Sequence, residues 1–108
     1  MSRNKQSVRA NFRAETFKRD KYSCVMCRKK FSPETAEEFL DAHHINDRHC
    51  FKNGGYVKEN GISLCAECHL KAENFHQHGV SLEGYSPQEL YAAIGSSLEK
   101  VLQKEELV

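Results

Sequence analysis

The 108-residue sequence contains no run of about 18 apolar residues, so no membrane-spanning helix is expected. Residues 1–15 carry basic side chains but no apolar stretch behind them, which argues against a secretory signal. There is also no internal repeat and no low-complexity tract. These absences predict a single domain over residues 1–108 in the cytoplasm, where thiols stay reduced.

The net charge of +1 conceals a strong separation of charge along the chain. Residues 1–30 hold ten basic and two acidic side chains, or +8, whereas residues 31–108 hold six basic and thirteen acidic ones, or −7. Such a basic segment favours a polyanionic partner, above all DNA, over the alternative of a solvated arm without a partner. We expect DNA contacts from four of its side chains: Arg9, Arg13, Lys18 and Arg19.

Hydrophobic spacing and turn residues predict most of the secondary structure. Val8, Phe12 and Phe17 lie at roughly helical spacing, which indicates an amphipathic helix over 7–20 within a basic helical arm, residues 1–21. Local signals predict a short helix over 33–38 capped by Ser32, strands over 39–45 and 61–64, and a helix from Ala66 that ends at Gly79.

A further helix is predicted at the carboxy-terminal end, over residues 86–105. Ser86, Pro87 and Glu89 have the spacing of a capping box with proline at the first helical position. An apolar stripe follows at helical spacing, and it favours core packing or a homodimer interface over chemistry: Leu90, Ile94, Leu98, Val101 and Leu102.

The cysteines form two CxxC pairs, Cys24–Cys27 and Cys65–Cys68, and Cys50 is left over as a free thiol. Two residues between cysteines let both sulfurs reach one ion from a tight turn, and two such pairs complete a tetrahedral thiolate shell. The odd number of cysteines and the expected reducing compartment disfavour disulfides. The two pairs therefore predict a structural Zn²⁺ site.

The 37 residues between the pairs exceed the spacer of about 15–20 in a simple zinc ribbon, so further structure is inserted there. The insertion carries the sequences DAHHI (residues 41–45) and NGISL (residues 60–64), and His69 directly follows the second pair. In this order, CxxC, DAHHI, NGISLC and CxxCH resemble the zinc-knuckle branch of the HNH endonuclease family over roughly residues 12–78.

The resemblance implies an α+β fold of the ββα-metal type. A two-stranded antiparallel hairpin plus a helix would be braced by a four-cysteine zinc knot over residues 22–78 and accompanied by flanking helices. The resemblance also assigns roles: His43 and His69 would bind a catalytic cation, His44 would be the general base, and Asn60 would orient the His44 imidazole. Glu73 would be the third ligand.

The chemistry of these residues supports such a division of roles. Neighbouring side chains of a strand point to opposite faces, so His43 and His44 cannot easily bind one ion. Glu73 lies four positions after His69 and shares its helix face, but His76, seven positions after His69, also lies on that face. The third ligand therefore stays open between Glu73 and His76. Asp41 is expected to support a ligand rather than to bind the ion itself.

The predicted function is metal-dependent hydrolysis of DNA phosphodiester bonds by a histidine base and one divalent cation. Mg²⁺, Mn²⁺, Ni²⁺ and Zn²⁺ are all candidates for that cation. The alternative is a non-catalytic zinc-knuckle module that binds nucleic acid. Such a module needs the cysteine pairs and the basic segment but has no use for His43, His44 or Asn60.

Overall fold

A computed structural model describes residues 5–105 of the chain. In chain order, its helices and strands are α1 (Lys5–Arg19), α2 (Pro33–Phe39), β1 (Leu40–His44), β2 (Gly61–Cys65), α3 (Ala66–His78), α4 (Pro87–Ala93) and α5 (Leu98–Glu105). Two 3₁₀ turns, Arg48–Cys50 and Lys58–Asn60, lie in the connection between the strands. Within the described range, no helix is both long and apolar enough to span a membrane.

The centre of the fold is a hairpin followed directly by a helix. Strands β1 and β2 pair antiparallel, with Leu40 opposite Cys65 at one end and His44 opposite Gly61 at the other. Cys65 is the N-cap of α3, so the chain passes from strand to helix without a loop. Helix α3 ends at Gly79, which adopts the left-handed conformation that glycine tolerates best. The predicted α+β fold with a ββα motif is confirmed.

Helix α1 packs across the hairpin instead of extending from it as an arm. Its Phe12 and Phe17 side chains are buried in the core. Phe12 and Thr16 pack so closely on the backbone of Gly61 that a Cβ there would lie 2.5 Å from Thr16 Oγ1. A side chain at residue 61 would therefore displace the buried Thr16 or Phe12 side chain. Residues 1–4 of the predicted arm lie outside the described range.

Two of the arginines predicted to contact DNA are engaged within the protein. Arg13 pairs with the Glu37 carboxylate at 3.1 Å and donates to the backbone oxygens of Glu37 and Leu40. Arg19 makes a bidentate pair with Asp20 and donates to the backbone oxygens of Lys58 and Gly61. These arginines satisfy carbonyl groups at element ends, and their assignment to DNA binding stays a prediction.

The predicted helix over 86–105 is wrong as one element, because the chain breaks into α4 and α5. Gly95 adopts a φ of +67°, and the Ser96 N–H donates to the Tyr91 carbonyl at 2.8 Å, which closes the end of α4. The break splits the apolar stripe: Leu90 and Val101 are buried in the core, whereas Leu98 and Leu102 are each 45% exposed. A homodimer through this segment stays a prediction.

Candidate active site

The four cysteines of the two CxxC pairs come together at the end of the hairpin where Leu40 pairs with Cys65. Their four sulfur atoms all lie within 4.8 Å of one another, and Cys27 Sγ and Cys65 Sγ are 3.7 Å apart. Sulfurs that share one zinc ion lie about 3.8 Å apart, given a zinc–sulfur distance of about 2.3 Å and tetrahedral angles. The group therefore fits a structural zinc ion. Cys50 is an exposed free thiol outside this group.

Backbone N–H groups around Cys24 favour the thiolate form that zinc requires. Burial by itself would raise the pKa of Cys24, but hydrogen bonds from backbone groups of Cys27, Cys65 and Met26 lower it to about 7. By contrast, burial raises the pKa of Cys68 to about 12, and the thiols around it act in the same direction. Thiols forced this close together are stabilised as thiolates by a bound cation.

A second group of metal-binding atoms lies where the middle of β1 faces α3. One ligand atom each of His43, His69 and Glu73 lies within 4.8 Å of the other two. Glu73 Oε1 is 3.2 Å from His43 Nδ1 and 3.3 Å from His69 Nε2. Asp41 Oδ2 is 3.2 Å from the other ring nitrogen of His69, Nδ1. Strand register and the four-residue spacing along α3 produce this convergence.

His43 is in the state that a metal ligand needs. Its side chain is buried, and neither ring nitrogen makes a hydrogen bond within the described part of the chain. Burial first, and then the neighbouring His69, His76 and His44, lower its pKa to about 3, so the imidazole is neutral at pH 7. Apart from the approach of Glu73 Oε1 to Nδ1, the buried imidazole has no polar partner among the described residues, which is costly, and a cation held with His69 and Glu73 would satisfy it. The group therefore fits a divalent cation.

His44, the next residue, is held between two aromatic rings. Its imidazole stacks on Phe12 with centroids 4.4 Å apart and meets the Tyr56 ring edge-on at 4.8 Å. Its Nε2 is buried and has no hydrogen-bond partner among residues 5–105. Burial lowers the pKa of His44 to about 4 in spite of the opposing charge of Asp47, while His76, Arg48 and Arg9 lower it further.

The two histidines and the cation-binding group open into one cleft. The cleft has a volume of about 310 Å³ and is lined by Ala42, His43, His44, Asp47, Arg48, His49, His69, Glu73 and His76. A phosphodiester that entered the cleft would therefore meet the His44 ring and the His43, His69 and Glu73 group together.

Comparison with known proteins agrees with this geometry. Residues 24–75 match the model of the HNH endonuclease family. This segment belongs to the HNH endonuclease family. It contains both cysteine pairs, both histidines of β1, Asn60, His69 and Glu73. No match was found among the curated proteins or among the solved structures.

The side-chain amide of Asn60 makes no hydrogen bond to the His44 ring, the partner predicted for it, within the described residues. Asn60 is fully buried in the 3₁₀ turn before β2, and its Oδ1 accepts from the backbone N–H of Asn46 at 3.1 Å and from the Tyr91 hydroxyl at 2.7 Å. Its Nδ2 donates to the carbonyl oxygens of Asn46 and Gly55. These bonds occupy both the oxygen and the NH₂ group of the amide. Asn60 therefore connects the two ends of the loop between the strands.

His76, the alternative third ligand, is engaged elsewhere, just beyond the segment that matches the family. Its Nε2 lies 2.9 Å from the carbonyl oxygen of His44, and its ring centroid is 5.1 Å from that of His43. The ligand atoms of Glu73, and not those of His76, complete the group of three with His43 and His69.

Sequence reasoning missed the residues that surround His44 in the HNH domain. Phe12 belongs to the apolar stripe predicted for α1, so its burial could be anticipated but not its stacking on an imidazole. Tyr56 follows the Asn53-Gly54-Gly55 turn and carries no local signal for a position beside His44. Arg48 and Arg9 both interact with the Tyr56 hydroxyl and help to lower its pKa against the effect of burial.

Proposed function

We propose that this chain is a metal-dependent endonuclease that hydrolyses DNA phosphodiester bonds, with His44 as the general base. The observation that carries the proposal is the position of His44, whose neutral, unpartnered imidazole lines the same cleft as the cation-binding group. An imidazole in this state can accept a proton from a water molecule that attacks phosphorus.

Substrate binding would adjust this base. The negative charge of a phosphate beside His44 stabilises the imidazolium form and so raises the pKa of His44 from about 4 towards the working pH. Phe12 and Tyr56 hold the ring on two sides, which fixes its direction relative to the cleft. His44 would then return its proton to solvent after each turnover.

His43, His69 and Glu73 would hold the catalytic cation, and Asp41 would fix the orientation of the His69 ring through its Nδ1. When bound, such a cation neutralises phosphate charge and stabilises the leaving 3′ oxygen. Two imidazoles and one carboxylate favour Mn²⁺, Ni²⁺ or Zn²⁺ over Mg²⁺. The four cysteines would hold a structural zinc ion, which a reducing compartment inside the cell would leave undisturbed.

The test is cleavage of supercoiled plasmid by the zinc-loaded protein, with Mg²⁺, Mn²⁺, Ni²⁺ or Zn²⁺ added and with EDTA as the control. We expect nicked and then linear plasmid with at least one of the cations and none with EDTA. DNA binding without cleavage under every cation would overturn the proposal and favour the zinc-knuckle binding module, because the cysteine group fits both functions.

The third ligand can be tested by comparing Glu73→Gln with His76→Ala. We expect Glu73→Gln to raise the dissociation constant of Mn²⁺ by more than about 100-fold, since loss of a group that only supports a ligand already costs about 10- to 100-fold. His76→Ala should change it far less, because the three converging groups stay in place. Titration calorimetry with the cysteine site filled by zinc measures the Mn²⁺ dissociation constant of each variant. A larger increase for His76→Ala than for Glu73→Gln would make His76 the ligand.

DNA contacts are expected from Arg48, which lines the cleft, and from Arg9, which interacts with the Tyr56 hydroxyl as Arg48 does. Lys18 is exposed and keeps its predicted role, whereas Arg13 and Arg19 are already paired. The double variant Arg9→Gln with Arg48→Gln should bind DNA with a weaker dependence on salt. We expect the slope of the logarithm of the binding constant against the logarithm of salt concentration to become shallower by about one for each phosphate that the variant no longer neutralises.

The matched control for this double variant is Lys29→Gln with Lys30→Gln. These exposed lysines lie near Cys65, at the other end of the hairpin, and their replacement removes the same charge. Fluorescence anisotropy of a short duplex in EDTA measures binding without cleavage. Equal losses in both double variants would mean that total charge, not the cleft, determines binding.

A further inference from the structure

Glu105, at the end of α5, is a buried charged residue that contacts a loop about fifty positions earlier in the chain. Its side chain is 2% exposed. Its Oε1 accepts a short hydrogen bond from the backbone N–H of Asn53 and a longer one, at 3.4 Å, from that of Gly55. Its backbone oxygen accepts from Asn53 Nδ2 at 3.2 Å. One residue therefore holds the turn at 53–55 by three bonds.

This turn depends on such an acceptor. Gly54 and Gly55 adopt φ values of +84° and +66°, and a Cβ on Gly55 would lie 2.5 Å from the Phe51 ring and 2.9 Å from Asn60 Nδ2. The turn is thus closely packed, and Gly55 is buried. Without the carboxylate, the N–H of Gly55 would be left in the interior unpaired, which costs about 1–3 kcal/mol.

The same turn leads into the residue that supports the proposed base. Tyr56 directly follows Gly55, and its ring stands edge-on against His44 at a centroid distance of 4.8 Å. The carbonyl oxygen of Gly55 also accepts from Asn60 Nδ2 at 3.2 Å. A shift of the turn would therefore move the Tyr56 ring away from the imidazole and leave Phe12 as its one stacking partner among the described residues.

Other contacts of the carboxy-terminal segment lie at a different part of this loop. The Tyr91 hydroxyl donates to Asn60 Oδ1 and the Ser96 hydroxyl donates to the carbonyl oxygen of Glu59, both at 2.7 Å. They fix the end of the loop where β2 begins, whereas Glu105 fixes the turn that precedes Tyr56. The role of Glu105 can thus be separated from theirs.

We propose that Glu105 is a positioning residue for His44, because it fixes the 53–55 turn and thereby the ring of Tyr56. The inference rests on the proposed function, in which His44 accepts the proton of the attacking water. The proposal also gives helix α5 a function inside the monomer, in addition to the predicted homodimer contact. Glu105 belongs neither to the lining of the cleft nor to the cation-binding group, so it acts through Tyr56.

The experiment compares Glu105→Ala and Glu105→Gln with Glu99→Ala, a matched control at an exposed position of the same helix. Two quantities are measured on zinc-loaded protein: the chemical shift of the His44 ring proton, assigned by its loss in His44→Ala, and kcat and KM for plasmid nicking. Ring currents from Phe12 and Tyr56 make this shift sensitive to the position of the Tyr56 ring.

We expect Glu105→Ala to move the His44 resonance and to lower kcat by about 10- to 100-fold with KM unchanged, since displacements of about 1 Å at a reacting group have effects of this order. Glu105→Gln keeps an oxygen acceptor in the same place, so its resonance and kcat should lie close to those of the wild type. Glu99→Ala should change neither quantity.

The inference would be overturned if folded Glu105→Ala had the same His44 chemical shift as the wild type. It would also be overturned if the decrease in activity were no larger than the fraction of Glu105→Ala molecules that are unfolded. If Glu105→Ala does not fold, Glu105→Asp replaces it, because the shorter side chain keeps the charge but withdraws it from the turn. A wild-type protein without nicking activity would refute the proposed function, and the resonance would still decide the position of the ring.

Discussion

Replacement of His44 by alanine is expected to lower the rate of metal-dependent plasmid nicking by about 10²- to 10⁴-fold, the usual contribution of a positioned general base. The cysteine group and the cation-binding group contain no atom of His44, so zinc content and the affinity for the catalytic cation should not change. The ring is half-buried between Phe12 and Tyr56, so its removal also leaves a small cavity. Circular dichroism and a thermal melt separate this effect from the loss of the base.

The matched control is His49→Ala. His49 lines the same cleft, but its side chain is 82% exposed and it is not part of the group of three metal-binding residues. We expect its replacement to change the nicking rate by less than about threefold, as for surface positions in general. Equal nicking by wild type and His44→Ala would remove His44 from the mechanism, and equal losses in both histidine variants would mean that the effect is not specific to the position of His44.

Replacement of Cys65 by serine is expected to abolish zinc binding and the cooperative thermal transition. Cys65 pairs with Leu40 at the end of the hairpin and is also the N-cap of α3, so its sulfur joins strand and helix to the knuckle of Cys24 and Cys27. Structural zinc sites contribute about 10–16 kcal/mol of apparent binding energy. A domain of this size has a stability of only about 5–15 kcal/mol, so it would not remain folded without the ion.

Cys50→Ser is the matched control, because Cys50 is exposed and lies outside the cysteine group. Metal analysis of the purified protein should give one tightly held zinc in wild type and Cys50→Ser and none in Cys65→Ser. Differential scanning calorimetry should show a transition in the first two proteins. A Cys65→Ser protein that melts like the wild type and keeps its zinc would contradict the assignment of the cysteines to a structural ion.

Local signals in the sequence were sufficient for the elements that build the ββα core. The capping residues Ser32 and Ser86 begin helices at the predicted positions, and Gly79 ends α3 because a left-handed residue stops a helix there. The spacing of the cysteines and of His69 and Glu73 also predicts which side chains share a face, since that depends on strand and helix periods alone. The match to the HNH endonuclease family confirmed the resemblance that these motifs suggested.

The tertiary structure decided which partners those side chains obtain. Asn60 bonds to Tyr91, 31 positions away, and not to the His44 ring, and the Glu105 carboxylate reaches a turn about fifty positions earlier. Arg13, for which a DNA contact is predicted, also satisfies the carbonyl oxygens of Glu37 and Leu40. Such pairings depend on how separate elements pack and on which polar groups become buried between them. The spacing of residues along the chain predicts helix and strand periodicity and helix caps. It does not predict which groups from distant parts of the chain come within hydrogen-bond distance.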